Sequence, residues 1–257
     1  KRSWEAKIIA YRIKGRPRKI FSYARDDDPE EGRPGVIPEE DDDVFAGIAK
    51  KPKDERLVGC RIVLTNKYST DDSVERRKLR LVAKGYSRKY GVDFTQTFAP
   101  VARMETIRLL LALAGELRME VTQLDIVTAY LNGILDEVVF MKIPDELSRM
   151  LEMIAQDHRT ELEVKTRAED MLKKIEQGAD SCHLNKAIYG LRQAGRQWHA
   201  RLSKRLMELG LIPTKGEPCM YYAEKDGDLF LLVVYVDDIL MSSTNPDWVE
   251  EMEAAVS

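Results

Sequence analysis

Two adjacent carboxylates, Asp237 and Asp238, interrupt an apolar run that extends from Leu229 to Met241. Such a run predicts a buried strand, in which neighbouring negative charges are disfavoured by desolvation and by mutual repulsion. A divalent metal is the usual compensation, because hard cations prefer oxygen ligands. The run therefore predicts two short strands with the Asp pair at the bend between them, projecting into a cleft.

Asp125 is the best candidate for a third carboxylate, because it closes a short apolar strand, 121–126, and has no nearby basic partner. Three carboxylates on neighbouring strand ends can hold two metals about 3.5–4 Å apart, which neutralise the attacking and leaving oxygens of a phosphoryl transfer. A lone Asp after a strand is more often a turn or cap residue. Spacing alone therefore leaves both interpretations of Asp125 open.

Hydrophobic periodicity predicts the elements that would position these residues. Strands are predicted at 61–67, 78–84, 121–126, 138–143, 221–224 and 229–235, and helices at 106–117 and 194–209. A turn is predicted at 69–73, and the Asp226-Gly227 pair favours a tight hairpin turn. Ile107, Leu110, Leu111 and Ala114 form the apolar face of the first helix, and Trp198, Leu202, Leu206 and Leu209 that of the second. The expected fold class is α+β, with an antiparallel sheet backed by these two helices.

The predicted strand 78–84 alternates between polar and apolar residues. Lys78, Arg80, Val82 and Lys84 fall on one face, and Leu79, Leu81 and Ala83 on the other. One interpretation is a half-buried surface strand with its basic residues outward. The other is a strand that presents cations to phosphate, and alternation alone does not separate the two.

Two segments differ in composition from the rest of the chain. Residues 1–55 are rich in proline and acids, which predicts a disordered acidic linker, followed by a folded region at 56–257. Within the linker, Gly15-Arg16-Pro17-Arg18-Lys19 is similar to a minor-groove DNA hook, although a solvated basic linker explains it better. Residues 145–180 predict a charged helical insertion on the surface.

The net charge of −3 conceals an uneven distribution. Residues 26–43 carry −9, so the rest of the chain carries +6, which suits a polyanionic partner. The three cysteines are scattered without a CxxC pair, which favours neither a zinc site nor a disulfide framework and suggests a reducing, intracellular compartment. No apolar stretch is long enough to span a membrane, and no secretory signal is visible.

The motif Tyr235-Val236-Asp237-Asp238 resembles the Tyr-x-Asp-Asp signature of reverse transcriptases. Further blocks resemble, in family order, the polymerases of copia-type (Ty1/copia) retrotransposons over roughly residues 57–245. They are Arg80-Leu81-Val82-Ala83-Lys84-Gly85-Tyr86, Thr97-Phe98-Ala99-Pro100-Val101, residues 123–133, residues 187–194, Arg196-Gln197-Trp198 and residues 232–240.

The resemblance implies roles for the matching residues. Asp125, Asp237 and Asp238 would bind two Mg²⁺ ions, with Mn²⁺ as a possible substitute. Tyr130 would stack under the incoming sugar and reject a 2′-hydroxyl, although a core aromatic is the alternative. The other implied dNTP contacts are the backbone N–H groups of Thr128 and Ala129 and the side chains of Lys78, Arg80 and Gln193, while Tyr235 and Val236 would lie at the primer terminus.

The resemblance also implies a right-hand polymerase palm with a β-rich fingers subdomain, and the expectation is that the thumb is absent. The function implied is RNA-directed DNA synthesis, with template-primer and dNTPs as partners, together with polyprotein segments such as integrase and ribonuclease H. No membrane partner is expected, and the expected location is a cytoplasmic virus-like particle or the nucleus. Gly195, where the family usually has Pro, and the 145–180 insertion depart from the pattern.

Two other hypotheses compete with an active polymerase. A truncated or decayed element copy would keep the fold and at most some nucleic-acid binding. An unrelated calcium-binding protein could use Asp237 and Asp238, but the spaced oxygen ligands of a calcium loop are missing from the sequence.

Overall fold

A computed structural model describes residues 8–12, 16–21, 44–53, 55–68, 74–126 and 128–256. Within these residues the chain is a mixed α/β protein with three sheets and five α-helices. The strands are β1 (Ile8–Arg12), β2 (Arg16–Phe21), β3 (Phe45–Ala49), β4 (Leu57–Val58), β5 (Cys60–Tyr68), β6 (Val74–Ala83), β7 (Glu120–Ile126), β8 (Ile134–Lys142), β9 (Ser181–Lys186), β10 (Ile212–Pro213), β11 (Met220–Lys225), β12 (Asp228–Tyr235) and β13 (Asp238–Ser243). The helices are α1 (Met104–Glu116), α2 (Leu147–Gln156), α3 (Leu162–Glu176), α4 (Ala194–Glu208) and α5 (Pro246–Val256).

The chain divides into two compact units. The first unit takes the described residues of 1–39, 98–133 and 195–257, and the second unit takes those of 40–97 and 134–194.

The first unit is built on a seven-stranded antiparallel sheet with the order β10-β11-β12-β13-β7-β1-β2. The interior strand β12 is buried on both faces, which explains why its sequence is continuously apolar rather than alternating. Phe230, Leu232 and Val234 face the core formed with α4 and α5. Leu231 and Val233 face the opposite way, towards α1.

Helix α4 follows the predicted pattern closely. Trp198, Leu202 and Leu206 are buried against the sheet. The helix stops at Gly210, which has a φ of +88°, and the N–H of Leu211 donates a hydrogen bond of 3.0 Å to the carbonyl of Leu206. A left-handed glycine with this bonding pattern is a common helix terminator.

Helix α1 confirms the predicted element but not its whole apolar face. Leu110 and Ala114 are buried as expected, whereas Leu111 is 43% exposed. The sheet covers a narrower stripe of this helix than periodicity predicted, because residue 111 lies a further 100° round the helix from residue 110.

The second unit contains a four-stranded sheet, with the order β3-β9-β8-β4, and the two-stranded β5–β6 hairpin. Helices α2 and α3 form the helical segment predicted for 145–180. In the hairpin, Leu79 pairs with Leu64, and the two side chains are 53% and 74% exposed. The face that carries Leu79 is therefore open at this end of the hairpin, whereas Ala83 on the same face is buried.

The structured region begins earlier than the predicted boundary at residue 56. Phe45–Ala49 forms β3, which pairs with β9, so the last part of the predicted linker belongs to a sheet. Ile8–Arg12 and Arg16–Phe21 are also strands, and the second contains Arg16-Pro17-Arg18-Lys19, for which a solvated basic linker was the favoured interpretation. Gly15, the rest of the predicted linker before residue 44, and the predicted turn at 69–73 lie outside the described residues. No helix in the described part of the chain combines the length and apolarity needed to cross a bilayer.

Candidate active site

The Asp pair lies at a tight turn between two strands of the first unit. Tyr235 at the end of β12 pairs with Asp238 at the start of β13, so Val236 and Asp237 are the two turn residues. Val236 has a φ of +57°, a left-handed conformation that β-branched residues rarely adopt. Two-residue hairpin turns favour positive φ because it matches the twist of the strands. The bend predicted from the apolar run is present.

The third predicted carboxylate lies next to this turn. Asp125 in β7 is directly opposite Asp238 in β13, and the N–H of Ile126 donates a 2.8 Å hydrogen bond to the carbonyl of Asp237. Directly opposite residues of an antiparallel pair have Cβ atoms roughly 4.5–5.5 Å apart, and like charges in such a pair repel. The structure therefore brings the three acidic residues to one end of neighbouring strands.

Gln123 holds one of these carboxylates. Its Nε2 donates a 2.9 Å hydrogen bond to Oδ1 of Asp238. Sequence reasoning did not identify this residue as part of the site. The signal was its position two residues before Asp125, which places both side chains on the same face of β7.

The three acidic side chains do not form a ready metal cage. Among the described residues, no three or more His, Cys, Asp or Glu side chains converge closely enough to hold a metal ion. The donor chemistry nevertheless suits Mg²⁺, because it offers only hard carboxylate oxygens. The bond from Gln123 does not prevent Asp238 from serving as a ligand, because a carboxylate has about four lone-pair sites and Gln123 uses one of them.

Tyr130 lies close to the carboxylates. It belongs to a 3₁₀ turn, Ala129–Asn132, that follows β7 after Thr128. Burial raises the pKa of its phenol, and the negative charge of Asp237 raises this pKa further, which places the hydroxyl within electrostatic reach of Asp237. A Cβ atom at Gly195 would lie 3.9 Å from Cε1 of Tyr130, so the start of α4 runs alongside the ring.

The two residues before Tyr130 have distinct conformations. Thr128 has φ +62° and ψ +35°, which is left-handed, and its carbonyl accepts a 2.8 Å hydrogen bond from the N–H of Leu131. Ala129 is fully buried. A β-branched residue held in this region is strained, and such strain often occurs at functional sites.

Trp198 supports the turn that carries Asp237. Its Nε1 donates a 2.9 Å hydrogen bond to the carbonyl of Val236, and its ring is buried in the core formed with α4. The sequence predicted Trp198 as a core residue, and the Arg196-Gln197-Trp198 block was the only signal for a further role.

The remaining predicted dNTP contacts belong to the second unit. Lys78 pairs with Thr65 in the hairpin, and its side chain is outside the described part of the chain. The guanidinium of Arg80 lies 5.8 Å from the ring centroid of Tyr189. Gln193 is only 1% exposed, and its Nε2 lies 3.5 Å from Oε2 of Glu137. The nucleotide contacts of these residues stay predictions. The side chain of Gln193 is buried and donates to Glu137 instead.

Residues 43–151 and 167–257 match the family model for "Reverse transcriptase (RNA-dependent DNA polymerase)". The chain belongs to this reverse transcriptase family. The unmatched residues 152–166 lie within the charged helical segment formed by α2 and α3, so the match is interrupted where the sequence departs from the copia-type pattern.

Similar proteins include products of copia-type elements, which confirms the resemblance seen in the sequence. The chain is 31% identical over 211 residues to the Retrovirus-related Pol polyprotein from transposon TNT 1-94 of Nicotiana tabacum, covering 82% of the chain and 14% of that protein. It is 32% identical over 199 residues to the corresponding polyprotein from transposon RE1 of Arabidopsis thaliana, covering 77% of the chain and 12% of that protein. The reverse transcriptase domain therefore spans a small fraction of these relatives. No solved structure matches it significantly.

Proposed function

We propose that this chain is the fingers–palm part of an RNA-directed DNA polymerase from a copia-type retrotransposon. It would extend a primer by attack of the 3′-hydroxyl on the α-phosphate of a dNTP, with pyrophosphate as the leaving group. The observation that carries the proposal is the register that sets Asp125 opposite Asp238 beside the Val236-Asp237 turn. In this proposal the first unit is the palm and the second unit contains the fingers.

The carboxylates of Asp125, Asp237 and Asp238 would hold divalent metal ions, Mg²⁺ above all. When bound, such ions neutralise the charge on the phosphoryl group and on the attacking and leaving oxygens. The protein's own contribution is positioning. Trp198 fixes the carbonyl of Val236, and the β7–β13 pairing fixes the backbone on which two of the carboxylates stand.

Tyr130 would select the sugar of the incoming nucleotide. This role is supported by the charge of Asp237, which after burial is the second cause that raises the pKa of the Tyr130 phenol, and by the buried Ala129 in the turn that carries the ring. A ring against the C2′ position leaves no room for an additional hydroxyl, so deoxynucleotides would be preferred. Truncation to Tyr130→Ala should raise ribonucleotide incorporation relative to deoxynucleotide incorporation.

The names of the relatives, Pol polyproteins of transposons, support a wider context. The chain would act as one segment of such a polyprotein, alongside segments such as integrase and ribonuclease H. Its substrates would be an RNA or DNA template-primer and dNTPs, and its location would be intracellular, in a cytoplasmic virus-like particle or in the nucleus.

Primer extension on an RNA template with Mg²⁺ and dNTPs tests the proposal. The chain would be assayed alone and as part of the proposed polyprotein. Each form would be compared with the same form carrying Asp237→Asn. Asp226→Asn is the matched control, because Asp226 also lies in a two-residue hairpin turn, at the other end of β12. Extension by the parent and the control, with at least a hundredfold loss in Asp237→Asn, is the expected result. A folded parent that extends no primer in either form would overturn the active-enzyme proposal in favour of a decayed element copy.

A further inference from the structure

Gln123 lies between the apolar packing of α1 and the acidic residues of the first unit. Val121, Gln123 and Asp125 alternate along β7 and therefore share one face of the sheet. Val121 packs against the apolar cluster that includes Leu110 of α1. Gln123 is thus the last side chain on this face of β7 before the carboxylates.

The pairing of β7 with β13 sets Asp238 within reach of Gln123. Leu240 lies directly opposite Gln123, and Asp238 lies directly opposite Asp125. Leu240 packs against the same apolar cluster as Val121, and its side chain has no hydrogen-bonding atom. A long side chain can reach the diagonal neighbour two residues along the partner strand, at about 7–8 Å. That neighbour is Asp238, and Nε2 of Gln123 donates to its Oδ1 at 2.9 Å.

The donor is neutral, which matters for a carboxylate that is to bind a cation. An ammonium or guanidinium partner would offset the charge of Asp238 and compete with a metal ion. An amide fixes the orientation of the carboxylate, keeps its negative charge and uses one of its roughly four lone-pair sites. Hydrogen-bonding partners orient metal ligands in this way, and their loss typically costs about 10–100-fold in metal affinity or activity.

We propose that Gln123 is a positioning residue that holds Asp238 in its metal-binding orientation and so raises the affinity of the site for divalent cations. The inference rests on the proposed function, because it requires Asp238 to be a metal ligand. It adds that part of this affinity comes from a side chain that itself binds no metal. Since Gln123 acts through Asp238, its effect must disappear when the carboxylate of Asp238 is removed.

Binding of Mn²⁺ to the full chain, followed by electron paramagnetic resonance of the free ion, tests this without any polymerisation. Gln123→Met keeps the length of the side chain and removes the donor. We expect the Mn²⁺ affinity to fall about tenfold, while the unfolding temperature measured without metal stays close to that of the parent. Gln177→Met is the matched control, because it removes an exposed amide at the end of α3 in the second unit. This control should bind Mn²⁺ like the parent.

A double variant shows whether Gln123 acts through Asp238. Asp238→Asn alone should weaken Mn²⁺ binding. Adding Gln123→Met to it should cause no further loss, because the effects of two residues in direct contact do not add. A second tenfold loss in the double variant would overturn the proposal, since Gln123 would then act on the site by another route.

The Mg²⁺ dependence of primer extension separates positioning from a structural defect. Gln123→Met should need about tenfold more Mg²⁺ than the parent for half-maximal extension, and it should recover the parent's rate at saturating Mg²⁺. A merely structural role would lower the rate at every Mg²⁺ concentration, and that result would contradict the proposal.

The outcomes also distinguish this inference from the proposed function. Loss of Mn²⁺ binding in Asp237→Asn but not in Gln123→Met would overturn the positioning role and leave the metal site intact. Equal Mn²⁺ binding by the folded parent and by Asp237→Asn would overturn the metal site itself, and both proposals with it.

Discussion

Trp198 and Val236 are joined by a hydrogen bond of 2.9 Å from the indole Nε1 to the main-chain carbonyl. The donor belongs to α4 and the acceptor belongs to the turn that carries Asp237. Val236 is held there with a φ of +57°. A strained turn persists only when its surroundings fix it, and the buried indole is one of the groups that do so.

Replacing Trp198 by Phe should loosen the turn that carries Asp237. The ring volume is largely kept, but the carbonyl of Val236 loses its donor, so we expect the free energy of unfolding to fall by about 1–2 kcal/mol. Urea denaturation measures that loss, and primer extension should fall with it. Trp248→Phe is the control, because Trp248 packs beside Phe230 at 5.4 Å between ring centroids and is remote from the turn. Equal losses of extension in both variants would contradict the role given to Trp198.

Replacing Val236 by Gly should stabilise the turn and impair function. A left-handed φ costs a non-glycine residue about 1–2 kcal/mol, and glycine removes this cost. Part of the gain is lost again, because glycine gives the unfolded chain more conformational freedom. We expect a net gain of about 0.5 kcal/mol in the free energy of unfolding, together with weaker extension, since the predicted contact with the primer terminus is lost. Asp226→Gly relieves a φ of +56° elsewhere and should leave extension unchanged. A destabilised Val236→Gly protein would show that the turn stores no strain.

Glu137 should be important for the stability of the second unit. Its Oε2 lies 3.4 Å from Nη2 of Arg88, whose side chain is only 8% exposed, and 3.5 Å from Nε2 of Gln193. Nη1 of Arg88 is already buried without a hydrogen-bond partner among the described residues. Glu137→Ala would remove the carboxylate that faces this buried cation. We therefore expect the free energy of unfolding to fall by about 2–4 kcal/mol.

Thermal and urea unfolding of Glu137→Ala would be compared with Glu152→Ala, which removes an exposed carboxylate of α2. We expect the unfolding temperature and the urea midpoint to fall in Glu137→Ala and to stay unchanged in Glu152→Ala. Equal stability of the two variants would contradict the role given to Glu137, and the carbonyl of Asp93 would then be the partner that holds Arg88.

The buried thiols should make stability depend on alkaline pH. Burial raises the pKa of Cys182 to about 11, with a smaller contribution from Cys60, and burial followed by the charge of Glu217 raises the pKa of Cys219 to about 11. Both thiols ordinarily titrate near 9.0. Between these values the unfolded chain loses protons that the folded chain retains, so the stability present below pH 9 is lost as the pH rises towards 11.

Urea unfolding at pH 8, 9 and 10 checks this expectation. Cys219→Ala should lose less free energy of unfolding between pH 8 and 10 than the parent, because it removes one of the thiols with a raised pKa. An unchanged pH dependence in Cys219→Ala would show that this thiol does not contribute to the slope, and Cys182→Ala would then test the other raised pKa.

The local pattern of the sequence predicted most elements of the fold. The strands around Asp237, the hairpin at Asp226-Gly227 and helix α4 follow from periodicity and turn chemistry, which depend on residues close together in the chain. Family membership followed from ordered motifs in the same way. The exposed Leu111 was mispredicted, because periodicity defines a face and does not say which part of it another element covers.

The sequence by itself determined that carboxylates interrupt an apolar run and that a tight turn holds them. Only the tertiary structure decided which residues face them. Gln123 and Asp238 are 115 residues apart, yet the pairing of β7 with β13 joins them by a 2.9 Å hydrogen bond. The burial of Gln193 arises in the same way. Strand register and close backbone approach are set by long-range packing, whose energy is distributed over many contacts that no local window of sequence contains.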